Sequence, residues 1–174
     1  MNFKDRKLAI TDIETTGLVP SVHEIIEIGL VVCDPKTLEI FDTLNIKIKP
    51  EHIENIELGA FSRNEYKEEN WTEAVSLKEA MEIYSEKTKD AVFYAYNVTF
   101  DWGFIADAFK QTGIKNNMDY HRFDVMSMVF QKFKREMEAV TLNSASKLLS
   151  ISEEPMPHNA LNGAVQAYEV LKKL

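Results

Sequence analysis

The sequence predicts an α/β fold in which a three-stranded antiparallel meander is followed by alternating helices and strands. Two observations predict it. Three apolar stretches separated by short turns occupy residues 7–48. From residue 76 onward, apolar residues recur at helical spacing, and two short stretches, at 91–96 and near 123, interrupt that spacing. Together these patterns indicate a mixed five-stranded sheet flanked by helices.

The meander is expected to use three strands that follow one another closely. The first is expected over residues 7–12, where an apolar run ends in a turn, and the second over 24–34. Asp34 and Pro35 mark the turn into a third strand over 39–48. The short turn over 35–38 favours antiparallel pairing of the second and third strands, because connections of two to five residues suit hairpins.

Helices are expected in the remainder of the chain. The segment from Ser76 to Glu79 is a capping box that begins the first helix. A short buried strand over 91–96 precedes a helix over 98–112, which Gly113 ends. A strand or turn enters a helix over 123–134, and Thr141 caps the next one. The last helix is expected from about His158, after the prolines at 155 and 157, with an apolar stripe at Leu161, Ala164, Val165, Tyr168 and Leu171.

Composition limits the class of protein. A chain of 174 residues is long enough to bury a substantial core, and residues 1–174 are expected to form a single domain. The longest apolar stretch, 91–96, is too short to span a bilayer, and no signal peptide is expected before the first strand. Cys33 is the only cysteine, which fits a reducing compartment. A cytoplasmic protein without membrane contact is therefore expected.

The net charge of −8 argues against a tight, non-specific nucleic-acid binder, because such binding comes mostly from Lys and Arg contacts to phosphates. It does not exclude an enzyme that contacts nucleic acid through metal ions. Clustered metal-binding carboxylates make such a site acidic until the cations bind.

Two carboxylates, Asp12 and Glu14, are the strongest functional signal. Residues two apart in a strand lie on the same face, so both side chains point towards one place near the carboxyl end of the strand. Ligands bind at that end in open α/β sheets. Like charges repel unless a cation lies between them, and hard oxygen ligands suit Mg²⁺ or Mn²⁺. The alternative is an exposed acidic turn, but the apolar residues 8–10 that precede it favour the metal site.

Two further signals are weaker alone. Asp101 falls in the first turn of a helix, where the helix dipole by itself favours a carboxylate. His158 begins the last helix, and an isolated histidine is more often a surface residue than a catalytic one. Neither residue carries a function without the other segments.

Taken together, these segments resemble the DEDDh family of 3′→5′ exonucleases, of the proofreading-subunit type with a ribonuclease-H-like fold. The family's Asp-x-Glu-x-Thr-Gly motif is similar to residues 12–17, and Asn-x-x-Phe-Asp is matched at 97–101. The third motif, His-x-Ala-x-x-Asp, is similar to residues 158–163, but Gly163 stands where the family has its last metal-binding aspartate. The segment Phe123-Asp124-Val-Met resembles the family's central Val-Asp-Thr-Leu element.

The resemblance implies two-metal hydrolysis of phosphodiester bonds at the 3′ ends of single-stranded DNA or RNA. Asp12, Glu14 and Asp101 would hold two divalent cations, Mg²⁺ or Mn²⁺, and His158 would take a proton from the attacking water. Core packing is an equally good interpretation of Phe100. The residues that the resemblance places near the substrate are Thr15, Thr16, Gly17, Asn97 and Phe100.

Gly163 leaves alternatives open. The chain is interpreted as an exonuclease whose activity the missing carboxylate would impair, as a catalytically inactive module that binds nucleic-acid ends or a partner protein, or as a purely structural domain. Glycine here has three explanations: deliberate substitution, natural decay, or a rearranged site with another ligand. Asn162 and Glu169 point elsewhere on a regular helix. No motif distinguishes DNA from RNA, and no replication or repair partner is indicated.

Overall fold

The computed structural model describes residues 2–57, 59, 66, 68–152 and 158–174. Its five-stranded sheet has the order β3-β2-β1-β4-β5. The first three strands pair antiparallel, whereas β1, β4 and β5 run parallel, so the predicted mixed sheet with an initial meander is confirmed. The strands are β1 Leu8–Thr15, β2 Ile25–Cys33, β3 Ile40–Lys47, β4 Val92–Ala95 and β5 Arg122–Asp124.

Helices cover both faces of the sheet. Their bounds are α1 Leu77–Lys87, α2 Val98–Thr112, α3 Val125–Phe133, α4 Leu142–Leu148 and α5 Ala160–Lys172. The predicted caps are confirmed: the Ser76 side chain accepts from the Glu79 N–H, and that of Thr141 accepts from the Ser144 N–H. Gly113 ends α2 in the left-handed region. Among the described residues, none of these helices is long and apolar enough to cross a membrane.

Two apolar cores lie on opposite faces of the sheet. Ala9 and Ile13 of β1 pack with α1 and α2 residues such as Met81 and Phe104. Leu8 and Ile10 point to the other face, where α3, α4 and α5 cover them. All nine residues of β2 are buried because helices cover both of its sides. The free thiol of Cys33 belongs to the second core.

The first strand is longer than predicted. It continues through Thr15 rather than ending at Asp12, because β2 pairs with it as far as Glu14 and, after a shift in register, Thr15. Asp12 and Glu14 therefore lie within a paired strand, which fixes their separation and direction more firmly than a turn would.

The last helix begins later than predicted, and its buried face matches the predicted stripe only in part: Ala164 and Tyr168 are buried. Pro155 and Pro157, expected to precede it, lie outside the described residues. Val165 of the predicted stripe is 37% exposed, and Leu161 and Leu171 are only half-buried. Small residues face the sheet at the start of the helix, where Ala160 approaches Gly29 of β2 closely, whereas larger residues are buried further along. The buried residues of α5 are Ala160, Gly163, Ala164, Gln166, Ala167, Tyr168 and Val170.

Candidate active site

Asp12 and Glu14 lie on the face of β1 that α5 covers. In the β1–β2 pairing Asp12 is opposite Gly29, and Glu14 is opposite Glu27. Directly opposite residues of an antiparallel pair share a face, so these positions form one patch beneath the start of α5. Both carboxylates are half-buried. The two side chains that the sequence singled out are thus held side by side on a rigid strand.

Helix α5 brings position 163 directly against Asp12. A Cβ atom added at Gly163 would lie 2.3 Å from Oδ2 of Asp12 and 2.7 Å from its Cγ. Any side chain at this position would therefore meet the Asp12 carboxylate, which would have to rotate. The first and third sequence motifs consequently face each other at one point.

The start of α5 is fixed on β2 by two features. A Cβ added at Gly29 would lie 2.0 Å from the carbonyl carbon and oxygen of Ala160, so only glycine admits this approach. Two residues earlier on the same strand, Glu27 is 3% exposed and accepts the Ala160 N–H at 3.4 Å. Asn159 caps the helix by accepting the Asn162 N–H at 2.9 Å. The contacts of Gly29 and Glu27 with Ala160 therefore fix the distance between the start of α5 and Asp12.

Glu27 is a functional candidate that the sequence interpretation missed. Burial raises the pKa of its carboxyl group, while the Ala160 N–H and the positive charge of Lys47 act in the opposite direction. A single charged residue inside an otherwise apolar strand, Ile25–Cys33, was the available signal. Such a residue is kept in a core only with partners, which here are the Ala160 N–H of the third motif and the positive charge of Lys47 on β3.

Asp101 is almost completely buried, at 2% exposure, in the first turn of α2. Burial raises the pKa of its carboxyl group well above the ordinary range. Hydrogen bonds from its own backbone and from the backbone of Ile13 on β1 oppose this rise, and the negative charges of Glu14 and Asp124 add to it. Asp101 thus lies beside β1 and within electrostatic range of Glu14.

The turn after β1 is held by hydrogen bonds of its own. Thr16 is fully buried; its N–H donates to the Glu24 carbonyl, and its hydroxyl accepts the Glu24 N–H, both at 2.9 Å. The Thr15 hydroxyl, also buried, donates to the Gly17 carbonyl at 2.7 Å. A Cβ at Gly17 would lie 2.4 Å from the His23 ring. These residues shape the turn, and glycine at 17 leaves room for that ring.

The remaining predicted site residues occupy more exposed positions. Asn97 is exposed, has a left-handed backbone with φ 73°, and its side chain accepts the Thr99 hydroxyl at 3.1 Å. Phe100 is half-buried, and its ring contacts that of Phe104 at 5.1 Å between centroids, so it packs at the edge of the first core. His158 is exposed and lies one residue before the cap of α5.

Among the described residues, no group of three or more His, Cys, Asp or Glu side chains is already gathered as a metal site. The donor chemistry nevertheless fits a hard divalent cation, because Asp12, Glu14 and Asp101 supply only carboxylate oxygens. Burial is the main cause of the raised pKa of Asp101, and the negative charge of Glu14 adds a smaller like-charge repulsion that a cation would relieve.

A cavity of about 330 Å³ lies elsewhere, between α1, α2 and the turn after β1. His23, Glu24 and Asp107 are among the residues that line it. None of the predicted catalytic or metal-binding residues does, so this cavity is separate from the carboxylate patch.

Comparison with known proteins places these observations in a family. The sequence model of the exonuclease family RNase_T matches residues 9–171. The chain is 32% identical over 118 residues to a PolC-type DNA polymerase III of Mycoplasmopsis pulmonis, a match that covers 67% of this chain and 8% of that protein. It is 36% identical over 110 residues to the 3′-5′ exonuclease DinG of Staphylococcus aureus USA300, covering 62% of this chain and 12% of DinG. The chain thus spans a small part of these relatives.

Solved structures show the same fold. The zinc-bound complex of Escherichia coli exonuclease I with single-stranded DNA superposes with a TM-score of 0.80 at 15% identity, covering 97% of this chain and 40% of that one. A 3′-exonuclease that recognises the histone mRNA stem-loop gives a TM-score of 0.73 at 19% identity, covering 98% of this chain and 65% of that one.

Proposed function

Because the chain belongs to the exonuclease family RNase_T, we propose that residues 1–174 form one domain that removes nucleotides from the 3′ end of single-stranded DNA or RNA. One observation carries the proposal: position 163, in the third motif, lies against Asp12 of the first motif. The buried Asp101 of the second motif lies close enough to Glu14 for the Glu14 charge to raise its pKa beyond the effect of burial, which supports the proposal further. The relatives named above act at 3′ ends or bind nucleic acid, which favours the same class of substrate.

In this proposal Asp12, Glu14 and Asp101 hold two divalent cations, Mg²⁺ or Mn²⁺. When bound, such cations stabilise the charge that develops on the attacking and leaving oxygens of phosphodiester hydrolysis. The carboxylates are well placed for this because the strand and the first turn of α2 hold them before any ligand arrives. Their mutual repulsion favours cation binding.

The other residues act on the substrate. His158, exposed at the start of α5, takes the proton from the attacking water, and an imidazole is suited to this near neutral pH. Thr15, Thr16 and Gly17 shape the turn along which the terminal nucleotide lies, Thr16 through its bonds to Glu24. Asn97, exposed just before α2, contacts the substrate. Phe100, at the edge of the first core, lies beside the terminal nucleotide.

Position 163 favours a second candidate function. With glycine there, the Asp12 carboxylate occupies the space that a side chain at 163 would need. The site has one carboxylate fewer than the family motif, so cation binding and the rate are expected to be reduced. In the extreme, the domain is a catalytically inactive module that binds nucleic-acid ends or a partner protein.

A labelled-strand assay tests the proposal. Single-stranded DNA and RNA of the same sequence, each labelled at the 5′ end, are incubated with Mg²⁺ or Mn²⁺, and the products are separated by length. Stepwise shortening is expected, together with its loss in Asp12→Asn, which changes the charge of the site and almost nothing in its size. A 3′-blocked strand should resist, which excludes an endonuclease.

The same strands separate the two candidates. If high enzyme concentrations shorten neither strand with either cation, but a fluorescent oligonucleotide still binds and competes through its 3′ end, the inactive module is supported. The absence of both cleavage and binding would contradict the exonuclease and any module that binds nucleic-acid ends.

A further inference from the structure

The Asp124 carboxylate connects the end of β5 to the starts of two helices. Its Oδ1 accepts the backbone N–H of Asn97 at 3.0 Å and that of Val98 at 3.1 Å. Its Oδ2 accepts the Ser127 N–H at 3.1 Å and also the Ser127 hydroxyl. Two of these bonds cap α3. The other two cross from β5 to the neighbouring turn between β4 and α2.

The turn that Asp124 holds is unfavourable by itself. Asn97 has φ 73°, and residues other than glycine enter this left-handed region at a cost that surrounding contacts must offset. Val98, the next residue, begins α2. Because Asn97 sets the angle at which the chain enters α2, bonds to its N–H and to that of Val98 fix the direction of the first helical turn.

That first turn carries Asp101. The Asp101 carboxylate accepts the Ile13 backbone N–H from β1. The start of α2 is therefore held from two sides, by β1 through Ile13 and by β5 through Asp124. Losing the second attachment would leave Asp101 free to tilt away from Asp12 and Glu14 without unfolding the sheet.

We infer that Asp124 is a positioning residue of the proposed active site, which fixes the turn at Asn97 and Val98 and thereby sets where Asp101 meets the cations. The inference rests on the proposed function, since the placement of Asp101 matters only if its carboxylate is a ligand. Asp124 itself acts through the backbone, because four donors already occupy its oxygens.

The test uses Asp124→Ser, which separates the two roles of the residue. Serine is a good helix N-cap and can still accept the Ser127 N–H. Its single short hydroxyl cannot also reach the N–H groups of Asn97 and Val98. Mn²⁺ affinity is measured by calorimetry in the wild type and in a Gly163→Asp background, and amide hydrogen exchange is followed at residues 97 and 98.

Asp124→Ser is expected to weaken Mn²⁺ binding about 10-fold to 100-fold, the usual effect of removing a residue that orients a ligand. Exchange at Asn97 and Val98 should accelerate. Asp124→Asn, which keeps one oxygen acceptor for those two N–H groups, should retain most of the affinity. Ser127→Ala and Ser76→Ala, the latter a cap of the distant helix α1, should lower the melting temperature without changing Mn²⁺ affinity.

The outcomes separate the inference from the function on which it rests. If the wild type binds Mn²⁺ and Asp124→Ser binds it equally well, Asp124 is only a cap of α3 and the inference is overturned, whereas the proposed metal site stands. If neither the wild type nor Gly163→Asp binds Mn²⁺, the metal site is wrong and the inference is overturned with it.

Discussion

Introducing aspartate at position 163 is expected to create or greatly increase exonuclease activity. The structure places the Cβ of residue 163 beside the Asp12 carboxylate, so a new carboxylate there would join the existing patch once Asp12 rotates. The gain in rate should be about 10²–10³-fold, the scale on which one preorganised group at an active site acts. The expected order of activity is Gly163→Asp, then wild type, then Asp12→Asn.

The same change should destabilise the protein when no metal is present. Two carboxylates about 5 Å apart repel by about 3 kcal/mol at an effective dielectric constant of about 20. Replacing glycine inside a helix returns only roughly 0.5 kcal/mol, because aspartate is itself a weak helix former. A net loss of about 2.5 kcal/mol corresponds to a fall in melting temperature of roughly 5–10 °C for a chain of this size.

Gly163→Asn is the matched control, since asparagine has the size of aspartate and adds no charge. Initial rates of the wild type and both variants are compared on one labelled single strand, and melting curves are recorded with and without millimolar Mn²⁺. Only Gly163→Asp should be fast, unstable without metal and strongly stabilised by Mn²⁺ through ligand linkage.

Equal rates for the Asp and Asn variants would refute the reasoning, because they would show that the charge at 163 is not what the site lacks. Equal, substantial rates for the wild type and Gly163→Asp would mean that another residue already fills this role. Activity absent from all three proteins would support the inactive module.

Three further predictions concern single groups. The wild-type melting temperature should rise in millimolar Mn²⁺ and that of Asp12→Ala should not; a wild-type midpoint that stays constant would exclude a working metal site. Because burial raises the pKa of Asp101, the folded protein binds this proton more tightly than the unfolded chain, and stability falls as pH rises above about 3.9. Metal-free Asp101→Asn should therefore melt above the wild type at pH 7, and melting curves at lower pH should show the difference vanish near pH 4; a constant difference would contradict this. Gly29→Ala should destabilise the protein by about 1–3 kcal/mol or more, since its Cβ would overlap the Ala160 backbone. The control is Gly103→Ala, whose Cβ meets only the Pro20 ring at 3.4 Å and which should stabilise the protein by about 0.5–1 kcal/mol. Urea midpoints in the opposite order would refute the packing argument.

The architecture was predictable because local signals agree with the global fold. Alternation and turn residues gave the meander, and the caps at Ser76, Thr141 and Gly113 lie where the sequence indicates them. The extent of β1 was not predictable from local pattern, since its last residues are strand only because β2 pairs with them.

The details of the site depend on contacts between segments distant in sequence. The close packing of the start of α5 depends on Gly29, more than a hundred residues away, because a side chain at position 29 would overlap the Ala160 backbone. The roles of Glu27 and Asp124 likewise come from hydrogen bonds with distant segments: one from the Ala160 N–H to Glu27, and two from the N–H groups of Asn97 and Val98 to Asp124. The spacing of the motifs predicts candidate site residues. The residues that hold those side chains in position can be identified only from the folded structure.

The paired bonds between Thr16 and Glu24 have a consequence for how this fold can vary. These bonds close the loop of residues 17–23 at its base. The entropic cost of bringing the two ends of the loop together is therefore offset by contacts at the base and does not depend on the residues at the tip. The tip, with Leu18 at 66% and Val22 at 54% exposure, carries no part of the β1–β2 register. Most of residues 18–22 can therefore be replaced while the carboxylates of Asp12 and Glu14 keep their positions. The loop can vary in sequence without a change in the strands that hold the site.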